Sequence, residues 1–307
     1  MLRYLKWLAA VSAVSLVAAC GDSDDPQRNV VDVAKDNPQF SILVEAVTAA
    51  GLGDTLSGTG PFTVFAPTND AFAALLAELG VTKDQLLADK ALLTAVLTYH
   101  VVPANVPRAA VPLGKAITTV QGGIFKVDAN GSALVITDGR NRTASITATD
   151  VTASNGVIHV IDKVILPANS TVVQTAIALP QFSILVEAVT AAGLGDTLSG
   201  AGPFTVFAPT NDAFAALLAE LGVTKAQLLA DKALLTKVLA YHVVSGRVLK
   251  ADVPVNTAIT TVQGQTFTVS PALAITDQNA RAANIVATDV LASNGVIHVL
   301  DRVILPK

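Results

Sequence analysis

Apolar residues in the first part of the chain recur at intervals of three and four. Between Phe40 and Ala50 they fall at Ile42, Leu43, Ala46, Val47 and Ala50, which places them on one face of a helix. Gly51 follows as a C-cap, where a left-handed residue ends the helix at little steric cost. Thr63–Ala66 is a short apolar run closed by Pro67 and predicts a strand. Thr68 then offers a side-chain oxygen as N-cap, with Asn69 and Asp70 in the first turn, where a carboxylate suits the helix dipole. The helix predicted there runs through Phe72–Leu79 to Gly80, and another is predicted over Asp89–Val101, burying Leu92, Leu93, Val96 and Leu97. From Ile117 the pattern changes to alternation rich in Thr, Val and Ile, which predicts several strands ending in Val157–Pro167. Helices first and strands later predict an α+β domain.

The pattern then begins again. Pro38–Val102 recurs as Pro180–Val244, and only four of these 65 positions differ: Thr59/Ala201, Asp84/Ala226, Ala95/Lys237 and Thr98/Ala240. Downstream, Thr147–Asp150 matches Val286–Asp289, so a three-residue contraction lies between Phe125 and Leu134, where FKVDANGSAL becomes FTVSPAL. The longer copy carries Asn130-Gly131, a strong hairpin-turn signal, and the shorter closes with Ser270-Pro271. Two copies of one fold tolerate a length change in a surface turn. A period of about 140 residues makes each copy a whole domain rather than a solenoid unit. The boundary falls near Ala168–Ser170, since Val172-Val173 matches Val30-Val31. Domains are therefore expected over 29–168 and 169–307, joined by a few residues.

Ahead of the first copy lie Arg3, Lys6 and thirteen uncharged residues, Trp7–Ala19. As a helix the uncharged stretch reaches roughly 20 Å, against a hydrocarbon core of about 30 Å. It is too short to span and fits the apolar region of a secretory signal. Leu16-Val17-Ala18-Ala19-Cys20 resembles the bacterial lipobox, whose Cys is diacylated and becomes the first mature residue. This reading gives 1–19 as a lipoprotein signal peptide, 20–28 as a polar tether and Cys20 as the lipidation site. The alternative is ordinary cleavage near Ala19 that leaves Cys20 a thiol. Two or more acyl chains give stable anchoring where one is marginal. Gly21, rather than Asp, after the Cys favours the outer membrane. Later apolar runs are all broken by Gly, Pro or charge.

Composition narrows the function classes. The chain of 307 residues is 51% hydrophobic and 14% charged, which argues against disorder. A net charge of −4, with 20 Lys+Arg spread thinly, leaves no footprint for nucleic acid. One Cys excludes an intramolecular disulfide and a Cys-based zinc or iron–sulfur site. The lone Met and Trp both belong to the leader.

Two motifs occur once per copy. Thr63–Phe72 and Thr205–Phe214 both read TVFAPTNDAF, while Asn155–Pro167 reads NGVIHVIDKVILP and Asn294–Pro306 reads NGVIHVLDRVILP. Between them lie Tyr99-His100 and Tyr241-His242. In order and spacing these resemble the two conserved blocks and the Tyr-His motif of the fasciclin (FAS1) domain, over essentially all of both copies. The resemblance implies two tandem FAS1 domains, each a β-sandwich-like wedge with packed helices. It also implies an extracellular or surface-anchored protein that mediates adhesion or matrix and polymer contacts. The copies part after Tyr-His-Val-Val, where Ser245–Asp252 follows the family pattern and Pro103–Ala110 does not.

The four histidines fall only at the repeated positions His100, His159, His242 and His298. His159 and His298 lie in apolar strands, where a packed, hydrogen-bonded ring is expected rather than a metal ligand. His100 and His242 end helices, where a ring nitrogen can donate to unpaired carbonyls. Each is expected to be held by a backbone acceptor or nearby carboxylate, with Asp70 the best candidate and Asp212 its equivalent. The Tyr-His pair is linked to integrin adhesion in animal members of the family. The competing reading packs Tyr99 in the core while His100 anchors the helix end. Asn155 and Asn294, each before Gly, read as turns. No Gly-x-Ser-x-Gly, His-Glu-x-x-His or Walker loop is present. Gly51-Leu-Gly53 has Leu56 where a dinucleotide loop needs its last Gly, and Asp128, Asp138 and Asp150 lack EF-hand spacing. The expectation is a non-catalytic, lipid-anchored adhesion or envelope-interaction protein without metal or cofactor, its ligand a surface protein or polysaccharide. A periplasmic carrier of an apolar small molecule is the alternative, and an apolar pocket with convergent polar groups would favour it.

Overall fold

A computed structural model describes residues 28–307; the leader and Cys20 lie outside the described residues. Domain 1 begins with α1 (Val30–Lys35), α2 (Ser41–Ala50), α3 (Gly53–Ser57), β1 (Phe62–Pro67), α4 (Asn69–Leu79), α5 (Lys83–Ala88) and α6 (Lys90–Tyr99). Strands β2 (Val101–Val102), β3 (Ala116–Thr118), β4 (Ile124–Asn130), β5 (Ala133–Thr137), β6 (Thr143–Ala153) and β7 (Gly156–Ile161) complete it. Domain 2 repeats the order as α7 (Val172–Ile177), α8 (Ser183–Ala192), α9 (Gly195–Ser199), β8 (Phe204–Pro209), α10 (Asn211–Leu221), α11 (Lys225–Ala230) and α12 (Lys232–Tyr241). Its remaining strands are β9 (Val243–Ser245), β10 (Ala258–Thr260), β11 (Thr266–Val269), β12 (Ala274–Thr276), β13 (Ala282–Ala292) and β14 (Gly295–Leu300). The fold is α+β in both domains.

Each domain has one seven-stranded sheet, ordered β2-β1-β7-β6-β5-β4-β3 in domain 1. Only β1 and β7 pair in parallel, which brings the two sequence motifs side by side with Phe65 opposite His159. The helices cover one face around Phe40, Phe72, Leu93 and Leu97. On the other side the curled sheet closes over Phe65, Tyr99, Phe125 and Ile136. Phe125 meets Phe65 edge-on with centroids 4.9 Å apart, a favoured aromatic geometry.

Local signals account for most boundaries. Gly51 and Gly80 are left-handed at φ 71° and 65° and end α2 and α4. Thr68 caps α4 by accepting from Ala71 N. The helix predicted over Asp89–Val101 is shorter at both ends. Asp89 is its N-cap, accepting from Leu92 N, and Val101-Val102 leave it to pair with β1. The β4–β5 turn is Gly131-Ser132, one residue beyond the predicted Asn130-Gly131, because Asn130 still pairs with Ala133. In the contracted copy Leu273 closes the turn at φ 60°. Helix α5, missed in the sequence, starts at a capping box formed by Thr82 and Gln85. Beyond Ile161 the chain leaves the ladder, yet Val164, Ile165 and Leu166 stay buried. Where the chain enters domain 1, Arg28 O accepts from Ser154 N in the β6–β7 turn.

Candidate functional site

The Tyr-His motif closes helix α6. Tyr99 and Tyr241 are 0% exposed and His100 and His242 are 2% exposed, so the side chains are core groups and offer a partner no surface. His100 Nδ1–H donates to Val96 O at 2.7 Å, one turn back on its own helix. Its Nε2 accepts from Ile165 N at 3.1 Å, which ties the helix end to the segment after β7. His242 repeats this with Val238 O and Ile304 N. Asp70 does not hold His100, nor does Asp212 hold His242. Both acids sit exposed in the first turns of α4 and α10, and backbone groups fill both nitrogens of each ring. Burial pushes the pKa of His100 and of His242 down to about 4, since a charged ring would be desolvated. Tyr99 accepts from Gly139 N at 2.8 Å and donates to Ile124 O. Burial raises its pKa, and pushes that of Tyr241 up to about 12.

His159 serves the sheet instead. Strand β6 carries a bulge between Ala148 and Val151, and Asp150 there takes φ 60°. A bulge leaves a backbone group without its ladder partner, and His159 supplies one: its Nδ1 accepts from Asp150 N at 3.3 Å. Its Nε2–H donates to Val106 O at 2.9 Å. His298 does the same for Asp289 N and Val248 O, and burial lowers its pKa. The segment after Tyr-His is tied down from its other side by Thr63 of the first motif, which donates to Ala104 O and accepts from Val106 N.

Asn155 does more than turn the chain. Its Oδ1 accepts from Val30 N, and its Nδ2 donates to Leu56 O and Gly58 O. It thereby fixes α1 and the end of α3 to the β6–β7 turn. Asn294 makes the equivalent three bonds in domain 2. Asp138 has the densest set of partners. It accepts from Arg140 N and Arg142 N on Oδ1, and from Leu166 N, Arg142 Nε and Arg142 Nη2 on Oδ2. Its buried carboxylate is thus filled by N–H donors. Sequence reading took it only as a calcium candidate, although Asp138…Arg142 and Asp277…Arg281 repeat at the same spacing in both copies. Asp128 pairs with Lys126, and Asp150 accepts from Arg108 N, so the three acids form no common site. Among the described residues no group of three His, Cys, Asp or Glu could hold a metal ion.

Each domain has an apolar crevice between its first helices and the sheet. In domain 2 it is lined by residues such as Val172, Ala176, Leu185, Leu198 and His242, and encloses about 70 Å³. The domain 1 counterpart encloses about 30 Å³. The titratable lining residues of the two crevices, His242 and His100, have both ring nitrogens committed to backbone partners, so convergent polar groups are missing from the linings.

A family model described as the fasciclin domain matches residues 38–167 and 180–306. Protein sll1483 of Synechocystis sp. is 48% identical over 147 residues, 47% of this chain and 76% of that protein. Human periostin is 27% identical over 287 residues, 92% of this chain but 32% of its own length. Immunogenic protein MPB70 of Mycobacterium bovis is 34% identical over 164 residues, 52% of this chain and 78% of that protein. Among solved structures, a FAS1 domain pair from the insect cell adhesion molecule fasciclin I aligns over 88% of this chain and 98% of that one. The alignment has 21% identity and a TM-score of 0.43. With the family model matched twice and both motif sets built into the same framework, the chain belongs to the fasciclin-domain family as a tandem of two domains.

Proposed function

We propose that the chain is a non-catalytic adhesion or surface-interaction protein, anchored by lipid on Cys20 and presenting two copies of one contact surface. The observation that carries this is the repetition of exposed apolar side chains at equivalent positions. Leu79 and Leu221 are 38% and 47% exposed, Leu113 and Val255 47% and 44%, and Val120 and Val262 46% and 54%. Single exposed apolar residues are ordinary, but the same set on both domains gives one chain two equivalent contacts. Weak contacts then reinforce each other through effective concentration. The histidines support a non-catalytic reading, because each ring is committed to backbone partners on both nitrogens. The crevices between helices and sheet hold no convergent free polar groups, which speaks against the carrier alternative. Low charge suits a surface protein or polysaccharide bound by contact rather than by electrostatic capture.

The lipobox-like Leu16–Cys20 and Gly21 support an outer-membrane anchor, and no helix among the described residues is long and apolar enough to cross a membrane. Two experiments test the proposal. V120S and V262S, singly and together, are compared in an attachment assay to envelope and extracellular polymer. Each single variant is expected to lose far more than half of the attachment, and a simple halving overturns the bivalent reading. Cys20→Ala is expected to move the protein into soluble fractions, and its retention in membranes overturns the anchor.

A further inference from the structure

The two domains meet through different faces of the same fold. Domain 1 contributes Ile124 and Lys126 from β4 and Asn141 from the β5–β6 turn; domain 2 contributes Leu249, Asp289 and Leu291. Ile124, Leu249 and Leu291 bury themselves in one apolar cluster with Val296. Lys126 Nζ lies 3.0 Å from Asp289 Oδ2, with side chains 13% and 2% exposed. Burial alone would lower the Lys126 pKa, but Asp289 and Asp128 hold it above the ordinary lysine value, so the pair stays ionic. Asn141 uses its amide as a short piece of strand: Nδ2 donates to Leu291 O at 3.0 Å and Oδ1 accepts from Leu291 N at 2.6 Å. At the rim, Lys115 Nζ lies 3.4 Å from Asp252.

Contact between unlike faces is heterologous, and between repeated units it runs on into a ring or an open filament unless something stops it. The corresponding face left outside the seam in each domain keeps the backbone of the contact and the acid at Asp150, but exchanges the other contact side chains. At the end of domain 2, Thr266, Thr268 and Ala280 stand where domain 1 has Ile124, Lys126 and Asn141, and Ala280 keeps the left-handed φ of 57°. On the free face of domain 1, exposed Pro107 and Thr152 stand where domain 2 has Leu249 and Leu291. Asp150 there keeps φ 60° and its bond from Arg108 N, just as Asp289 keeps φ 61° and its bond from Lys250 N.

We propose that the seam is a one-way lock. The Ile124–Lys126–Asn141 face of domain 1 takes the Leu249–Asp289–Leu291 face of domain 2 in the same chain, and the exchanged side chains at the two free ends keep a second copy from adding. All substitutions that test this place a residue where the other copy already carries it, so each enters a backbone known to accept it. One full chain carries T266I, T268K and A280N; a second carries P107L and T152L. By light scattering each alone is expected to stay monomeric, because every contact between like chains still has one mismatched face. Mixed in equal amounts they are expected to double in mass. A third chain, I124T/K126T/N141A, is expected to open the seam and raise the radius of gyration in small-angle scattering. A mixture that stays monomeric, a wild-type chain that already associates, or a scattering profile unmoved by the third set each overturns the lock. Circular dichroism confirms that every variant is folded.

Discussion

Acid should destabilise this protein through His100 and His242 well before those rings are protonated in the native state. Each ring is neutral by construction, with Nδ1–H donating to a carbonyl and Nε2 accepting from a backbone N–H. Protonation would bury a charge and set two hydrogens against each other at Ile165 N or Ile304 N. Between the unfolded value of 6.5 and the native value of about 4, the unfolded chain binds a proton that the folded one refuses. Stability from this source is complete above 6.5 and falls as pH drops through that window. The full gap is worth roughly 3 kcal/mol per domain, most of it lost by about pH 4.5. Asp138 and Arg142 act on His100 in opposite directions and leave burial dominant. The assay is urea unfolding followed by circular dichroism, at neutral pH and near pH 4.5, for wild type and for H100Q. Carboxylates titrate alike in both, so they cancel in the difference. H100Q should begin about 1–2 kcal/mol less stable, for imperfectly remade hydrogen bonds, and lose less on acidification, so that the gap closes or reverses. A gap independent of pH would refute the reasoning, as would an NMR titration in which the native His100 ring protonates near 6.5.

Two further outcomes follow from the packing. Asn155→Ala strands Val30 N, Leu56 O and Gly58 O, and at about 1 kcal/mol for each lost bond the melt should reveal a loss of about 3 kcal/mol in domain 1; a change below about 1 kcal/mol would sink the staple. Gly156→Ala should prevent domain 1 from folding, because an added Cβ would lie 2.0 Å from Phe62 O. By contrast Gly122→Ala, which meets nothing within 4 Å but holds φ 92°, should fold and be destabilised by only about 1–2 kcal/mol. Equal effects of the two substitutions in denaturant titrations would contradict the close β1–β7 approach.

Much of this architecture was legible because it is local. Thr68, Gly51 and Gly80 act within four residues of where they stand, so those helix ends could be read from the chain, whereas Asp89 reads as part of α6 but caps it. The duplication was legible because it is written in identity. What escaped depends on groups brought together by folding. Asp70 looked suited to His100, but α4 turns that carboxylate to solvent, while Val96 sits one helical turn below the ring. A backbone carbonyl has no side-chain letter to announce it. The bulge at Asp150 was invisible for the same reason, since alternation along β6 is not broken in any way that names the extra residue. The Asp138–Arg142 pair did leave a signal, a carboxylate and a guanidinium four apart in both copies. The seam left one too, but only as differences between the copies, and these acquire meaning once the sheets show which positions face one another.

The bond from Ser154 N to Arg28 O has a directional consequence. Arg28 is held at the β6–β7 turn, two residues from Thr152 on the face of domain 1 that corresponds to the seam face of domain 2. Arg28 therefore sits beside that face, and the seam lies between it and domain 2. The two nearly identical halves are not interchangeable in position, because one turns its β4 face and the other its β13 face to the seam. The surface bearing Thr266, Thr268 and Ala280 belongs to the second copy alone, so the copy with the family-like segment after Tyr-His is also the one whose β11 face stays outside the seam.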